Sequence, residues 1–204
     1  MDISKLSCEE FTEKLGSKAP VPGGGGAAAL TAAVGTALGV MVCDLTVGKK
    51  KYAAVEEELK ALREQAESLR RQLISCIDED AEAFEPLSRA YGIPKDDPGR
   101  DEIMEACLKG AAATPFKIME LTCRVIDLHR VFAEKGSVLV VSDAATGAAI
   151  CRGALRSAAL NVKANTMYMK DRAYAEKLNA EVEAVLSKYL PAADEIFESV
   201  YSKM

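Results

Sequence analysis

Apolar residues recur along most of the chain at the alternating three- and four-residue steps of amphipathic α-helices. The longest run places one buried stripe on a helix, formed by Tyr52, Val55, Leu59, Leu62, Ala66, Leu69, Leu73 and Ile77. Similar runs predict a helix with apolar positions from Ile103 to Leu128 that Gly136 closes, and helices over residues 143–169 and 171–203. A loop at residues 92–99 contains glycine and proline. The pattern therefore predicts an all-α fold, an antiparallel bundle of five or more long helices.

Local signals refine several helix ends. Ser7 and Glu10 have the spacing of a capping box, which predicts a short helix that ends near Leu15. Ser142 and Asp143 are suited to cap the helix that follows them. The β-branched run at residues 137–141 has no second strand to pair with, so we interpret it as extended chain or a first helical turn.

A run of glycines at residues 23–26 precedes a helix of small residues that we expect to reach Val47, with Gly48 as its left-handed stop. Glycine leaves backbone N–H groups unshielded, and the first turn of a helix has unpaired donors and the positive end of the helix dipole. This turn either binds an anion or serves only as a flexible bend. Lys49, Lys50 and Lys51 follow the other end of the helix, where they complement its dipole.

The segment from residue 23 to 43 carries no charge and is about long enough to span a bilayer. Its residues are mainly Ala, Gly, Thr and Val, however, and Asp44 follows at once. We therefore interpret it as a helix packed on all sides and expect no membrane partner. The spacing of Gly35 and Gly39 predicts the close approach of a neighbouring backbone.

Asp80 interrupts the buried stripe of the long helix. The stripe continues beyond Ile77 through Phe84, and Asp80 bridges these two positions at steps of three and four. Asp78 lies on nearly the opposite side and is expected to face water. A carboxylate on a core-facing seam is costly without a partner, so Asp80 is a functional acid, a structural acid paired with a buried Lys or Arg, or an acid on a partly solvated seam.

Composition narrows the function classes. The 204 residues suit a single domain, residues 1–204, and the formal net charge of −5 argues against a nucleic-acid partner. Six scattered cysteines and the lack of an apolar leader favour a cytoplasmic protein with reduced thiols. His129 is the one histidine, and beside Arg130 we interpret it as exposed. Neither a metal site nor a histidine-based catalytic pair is therefore expected.

Four segments together resemble one enzyme family. They are the Pro22-Gly23-Gly24-Gly25 turn, the run from Met41 to Tyr52 that contains Gly48-Lys49-Lys50-Lys51, the segment Asp78-Glu79-Asp80-Ala81-Glu82-Ala83-Phe84, and Ser142-Asp143 with Asn161-Val162-Lys163-Ala164-Asn165. In this order they are similar to the cyclodeaminase/cyclohydrolase family, the C-terminal domain of formiminotransferase-cyclodeaminase and its stand-alone relatives, which include methenyltetrahydrofolate cyclohydrolases. The resemblance covers nearly the whole chain.

The resemblance implies an all-helical homodimer that acts on the one-carbon bridge between N5 and N10 of tetrahydrofolate. The family's catalytic aspartate falls on Asp80, the residue that the apolar stripe places inward. The resemblance carries over the turn of Gly23, Gly24 and Gly25 and the helix with Asn161 and Asn165 as walls of the substrate pocket. Lys50 and Asp143 are further candidates for substrate binding. Family members commonly have Ser where this chain has Gly26, so a hydroxyl contact at that turn is missing here.

The implied chemistry needs one proton shuttle. Both cyclohydrolase and cyclodeaminase reactions pass through a tetrahedral carbon, and a buried Asp whose pKa is raised can exchange protons near neutral pH. No cofactor beyond the tetrahydrofolate substrate is expected. Lys50 and its neighbours, or the glycine N–H groups, are candidates to bind the anionic and possibly polyglutamylated tail of the folate. A non-catalytic helical module that binds folate or a protein is the alternative.

Overall fold

The computed structural model describes residues 2–204 as a bundle of helices without a β-strand. Six α-helices make up this bundle: α1 (Cys8–Leu15), α2 (Gly24–Asp44), α3 (Glu56–Ala90), α4 (Arg100–Lys135), α5 (Val141–Thr166) and α6 (Arg172–Tyr201). Short 3-10 helices lie at Ile3–Lys5 and Lys50–Val55. The all-α prediction is therefore confirmed.

Most of the predicted helix ends are confirmed, with small shifts. The Ser7 and Glu10 side chains form the predicted capping box, and Gly48 has the predicted left-handed backbone, with φ of 83°. The small-residue helix ends at Asp44, three residues before the predicted Val47, because the chain turns there and enters the 3-10 helix. The run at residues 137–141 is a turn whose last residue begins α5. The predicted cap at Ser142 and Asp143 was wrong, because Val140 is the N-cap and both residues lie in the first turn of α5.

Helix α2 lies at the centre of the bundle and packs against α3, α4 and α5. By length and composition it is apolar enough to cross a membrane, with a mean hydropathy of 1.8 over its most apolar window, yet 56% of that window is buried within the protein. A Cβ atom on Gly35 would lie 3.0 Å from the Gly147 carbonyl oxygen of α5. The predicted close approach of a neighbouring backbone is thus confirmed, and α2 is a core helix of the bundle.

His129 is fully buried, so the prediction of an exposed histidine was wrong. Its Nε2–H donates to the Gly35 carbonyl oxygen at 3.0 Å, and its ring packs edge-on against Phe132. Burial lowers the pKa of His129 from 6.5 to about 4. The imidazole is therefore neutral at physiological pH and ties α4 to α2.

Asp78 does not face water as predicted. Its carboxylate accepts hydrogen bonds from the Ile3 N–H at 2.7 Å, from the Ser4 N–H at 3.2 Å and from the Ser4 hydroxyl. The N-terminal segment folds back over this side of α3 and half-buries the carboxylate. Asp78 is thus a structural acid, which distinguishes it from Asp80 on the same helix.

Candidate active site

Asp80 projects from α3 onto the first turn of α2. The Gly26 N–H donates to Oδ2 of Asp80 at 3.0 Å. The glycines do not form a separate turn as predicted, because Gly23 caps α2 and Gly24 to Gly26 are its first residues. This amino end of a helix thus holds an anion, as its geometry favours, and the anion is the protein's own carboxylate.

Gly25 makes this contact possible. A Cβ atom on Gly25 would lie 2.6 Å from Oδ2 of Asp80 and closer still to Oδ1, so no larger residue fits without moving the carboxylate. A Cβ atom on Gly26 would lie 3.4 Å from Pro22 and 3.8 Å from the Ile77 side chain, which is ordinary van der Waals contact. The absence of a side chain is therefore required at Gly25 and not at Gly26, the position where the family commonly has Ser.

Burial raises the pKa of Asp80 from 3.8 to about 6, and the hydrogen bond from Gly26, which favours the ionised form, limits the rise. No ion pair of Asp80 with Lys, Arg or His is present within residues 2–204. The alternative of a structural acid paired with a buried base is therefore wrong. A carboxyl group with this pKa exchanges protons readily near neutral pH.

A cavity of about 360 Å³ opens in front of Asp80. Gly23, Gly24 and Gly25 line it, together with Asn161 and Asn165 near the end of α5. The Nδ2 group of Asn165 donates to the Ala111 carbonyl oxygen at 3.2 Å and to the Asn161 carbonyl oxygen at 2.9 Å, which fixes the side chain at the α4–α5 contact. Six of the eight residues proposed from the sequence thus surround one cavity.

Apolar and aromatic residues supply the rest of the wall, and the sequence analysis did not assign them to the site. Phe84 and Pro115 line the cavity, as do Tyr91 and Tyr168, which are 54% and 63% exposed. Tyr91 follows the end of α3 and Tyr168 follows the end of α5, so neither belongs to an apolar stripe. Such a wall suits a flat, partly aromatic ligand.

Lys50 and Asp143 lie at the opposite end of the bundle. Lys50 begins the 3-10 helix beyond the carboxyl end of α2, and α2 alone is about 30 Å long. Asp143 lies in the first turn of α5, about 27 Å along that helix from Asn161. Within one copy of the chain, neither residue reaches a ligand bound at Asp80.

The fold and this site define a class of helical protein, and comparison with known proteins identifies it. The family model described as formiminotransferase-cyclodeaminase matches residues 7–184, so the chain belongs to this family. The chain is similar to a methenyltetrahydrofolate cyclohydrolase of Methylorubrum extorquens, with 44% identity over 96% of each chain.

Two further comparisons point to the same family. A formimidoyltransferase-cyclodeaminase of Dictyostelium discoideum is 32% identical over 96% of this chain, which spans only 36% of that longer protein. The crystal structure of a formiminotetrahydrofolate cyclodeaminase from Thermotoga maritima superposes with a TM-score of 0.84. It is 27% identical and is matched over 98% of this chain and 99% of that one.

Proposed function

We propose that this chain acts on the N5/N10 one-carbon bridge of tetrahydrofolate, as a methenyltetrahydrofolate cyclohydrolase or a formimidoyltetrahydrofolate cyclodeaminase. The observation that carries the proposal is the partly buried Asp80 carboxyl group, which faces a cavity and is held by a main-chain N–H. The end-to-end match to a cyclohydrolase at 44% identity favours the hydrolytic reaction.

Asp80 serves as the general acid and base in this proposal. In the hydrolytic reaction the ionised carboxylate accepts a proton from the water that attacks the methenyl carbon, and it then returns a proton to the ring nitrogen as the bridge opens. In cyclodeamination the same group removes the proton of N10 and protonates the formimino nitrogen, which then leaves as ammonia. A pKa of about 6 places both protonation states within reach at neutral pH.

The test is to follow the absorbance of the methenyl-tetrahydrofolate chromophore after purified protein is added. Loss of signal from methenyl-tetrahydrofolate above the spontaneous rate would identify a cyclohydrolase. Gain of signal from formimino-tetrahydrofolate, with release of ammonia, would identify a cyclodeaminase. No turnover of either substrate by a folded protein would refute the proposal and favour a non-catalytic binding module.

A homodimer belongs to this proposal, and an uncharged surface supports it. We call this surface the α2/α5 face. Its positions follow steps of three and four on both helices and are exposed or half-exposed; they are Ala27, Thr31, Val34, Leu38, Met41 and Leu45 with Thr146, Ile150, Gly153, Ser157, Leu160 and Ala164. Two charged residues of α5 are paired with α6 instead, Arg152 with Asp194 at 2.7 Å and Lys163 with Glu183 at 2.9 Å. Arg156 is exposed and borders the face, four residues before Leu160.

The α2/α5 face has the size and shape that a second copy needs. It is about 30 Å long and about 20 Å wide, roughly 600 Å² in projection, which approaches the about 800 Å² that each partner buries in a stable interface. Met41 and Leu160 are large side chains that lie at opposite ends of the face. Small residues such as Ala27 and Gly153 lie between them or across from them. A twofold axis would pack this face against the same face of a second copy.

Sedimentation tests the dimer and its surface together. The wild type should have twice the monomer mass of 21.8 kDa. Leu160→Glu, on the α2/α5 face, should yield a monomer, because two buried carboxylates would face this apolar surface. Leu139→Glu is the control, since Leu139 is 80% exposed and lies outside the face. A monomeric wild type, or a dimer that Leu160→Glu leaves intact, would refute this assembly.

The remaining parts of the proposal are a cytoplasmic location and no cofactor beyond tetrahydrofolate. The six cysteines are all free, which suits a reducing compartment. Turnover that persists after dialysis against a chelator would support the cofactor proposal. Turnover lost on chelation and restored by a metal ion would contradict it.

A further inference from the structure

A second cavity adjoins the one at Asp80. It has a volume of about 510 Å³ and lies between the start of α4 and the segment after α5. Tyr91 and Tyr168 line both cavities, so the two are neighbours that share a wall of two aromatic rings. Arg100, Met104, Leu108 and Lys170 line the second cavity further from Asp80.

The first cavity alone is small for a complete folate. A folate derivative consists of a fused bicyclic ring, a p-aminobenzoyl ring and at least one glutamate, joined end to end. With the bicyclic ring and its one-carbon bridge at Asp80, the rest of the molecule must leave the 360 Å³ cavity. Tyr91 and Tyr168 stand where the p-aminobenzoyl ring would pass, and aromatic rings offer it stacking surfaces.

Two cations line the second cavity, and they differ in their partners: Lys170 is paired with Asp101, whereas Arg100 is not paired with a carboxylate in the described residues. Its Nε–H donates to the Ile93 carbonyl oxygen at 3.1 Å, which anchors the half-buried side chain. In the described part of the chain, residues 2–204, Arg100 forms no ion pair with a carboxylate. Its terminal nitrogens therefore remain available for a bidentate contact with a ligand carboxylate.

The acidic residues of this cavity are already engaged. Asp101 is bonded to the Lys170 ammonium group. Glu105 accepts the backbone N–H groups of Lys170 at 2.6 Å and Asp171 at 3.2 Å. Asp101 is thus paired with a cation, and Glu105 is held by two main-chain N–H groups and lies 3.9 Å from the Lys109 ammonium group, so neither carboxylate is paired with Arg100.

We infer that the second cavity binds the p-aminobenzoyl-glutamate end of the substrate, with Tyr91 and Tyr168 against the aromatic ring and Arg100 on a glutamate carboxylate. This inference rests on the proposed function. It assigns to Arg100 the tail-binding role for which the sequence analysis offered two candidates, the glycine N–H groups or Lys50 and its neighbours, and Lys50 lies at the far end of the bundle.

The experiment compares substrates with and without the glutamate. The wild type and Arg100→Gln are assayed with methenyl-tetrahydrofolate and with the corresponding methenyl-tetrahydropteroate, which lacks the glutamate. Arg100→Gln should raise KM for the glutamate-containing substrate by about 10- to 100-fold, the range expected for a charge-assisted hydrogen bond, and should leave kcat unchanged. KM for the tail-less substrate should not change, and Arg100→Lys should recover part of the lost affinity.

Arg124→Gln is the matched control, since Arg124 is an exposed arginine on α4 about 36 Å from Arg100 along the same helix. The inference is overturned if Arg100→Gln leaves KM unchanged for both substrates or raises it equally for both. It is also overturned if Lys50→Gln, and not Arg100→Gln, shows the tail-dependent loss. Should the wild type turn over neither substrate, the proposed function fails, and direct calorimetric binding of folates with and without glutamate still decides the role of Arg100.

Discussion

Replacement of Asp80 by Asn is expected to abolish most of the activity and at the same time stabilise the fold. The amide is nearly isosteric with the carboxyl group and its oxygen can still accept the Gly26 N–H, so the shape of the site is retained. What disappears is the ionisable proton. Loss of general acid–base catalysis should lower kcat by about 10²- to 10⁴-fold.

The gain in stability follows from the raised pKa. A carboxyl group whose pKa is 3.8 in the unfolded chain and about 6 in the folded protein binds its proton more tightly when folded. Its contribution to stability is therefore fully present below pH 3.8 and is lost as pH rises through 6. At 1.36 kcal/mol for each pKa unit, the ionised group costs about 3 kcal/mol at pH 7.5 and about 1.5 kcal/mol at pH 5. Asn does not titrate and avoids this cost.

Urea unfolding of both proteins at pH 5 and pH 7.5 measures the effect. The free-energy difference between Asp80→Asn and wild type should be about 1.4 kcal/mol larger at the higher pH. Asp78→Asn is the matched control, because it makes the same chemical change two residues away on α3. It should weaken the contact with the N-terminal segment and leave kcat close to that of the wild type.

Two results would refute this reasoning. A stability difference that does not change between pH 5 and pH 7.5 would show that Asp80 does not titrate with a raised pKa. An activity of Asp80→Asn within 10-fold of the wild type would show that its proton is not used in the reaction.

Further predictions concern the first turn of α2 and the buried histidine. Gly25→Ala should displace the Asp80 carboxylate and reduce kcat. Gly26→Ala should keep activity and raise the free energy of unfolding by up to about 1 kcal/mol, because alanine favours the helix. Equal effects of the two variants on kcat and on stability would count against the close contact between Gly25 and Asp80. His129 has a lowered pKa, so its contribution to stability is present above pH 6.5 and is lost as pH falls through 4, by about 3 kcal/mol. Urea unfolding of Asp80→Asn from pH 7 to 4 should reveal this slope, and a flat profile would contradict it.

Helical periodicity was sufficient to predict much of the fold. Alternating apolar steps predicted α3 to α6. The apolar stripe on α3 was by itself sufficient to predict that Asp80 faces the core. The error at Asp78 has a physical origin, since its partners Ile3 and Ser4 are more than 70 residues away in sequence and no local pattern reports such a contact. His129 was missed although a signal existed, because it lies three residues before the buried Phe132 and four after the buried Val125.

The candidate site was only partly predictable for a related reason. Residues near the two ends of helices α2 and α5 were grouped from the resemblance and from the charge of Lys50, but a long helix separates its two ends by about 30 Å. Gly24 and Asn161 therefore meet at one end, while Lys50 and Asp143 lie at the other. Arg100 and Tyr168 belong to helix termini, where neither periodicity nor a capping motif indicates a ligand.

The main-chain origin of the hydrogen bond to Asp80 has a consequence for how mutational data on this protein should be interpreted. The donor is the backbone amide of Gly26, so it persists whichever ordinary side chain is placed at that position. A systematic alanine scan would detect the carboxylate and overlook the group that stabilises its ionised form. Among the encoded amino acids only proline removes that amide hydrogen, and the first turn of a helix is where proline is best tolerated.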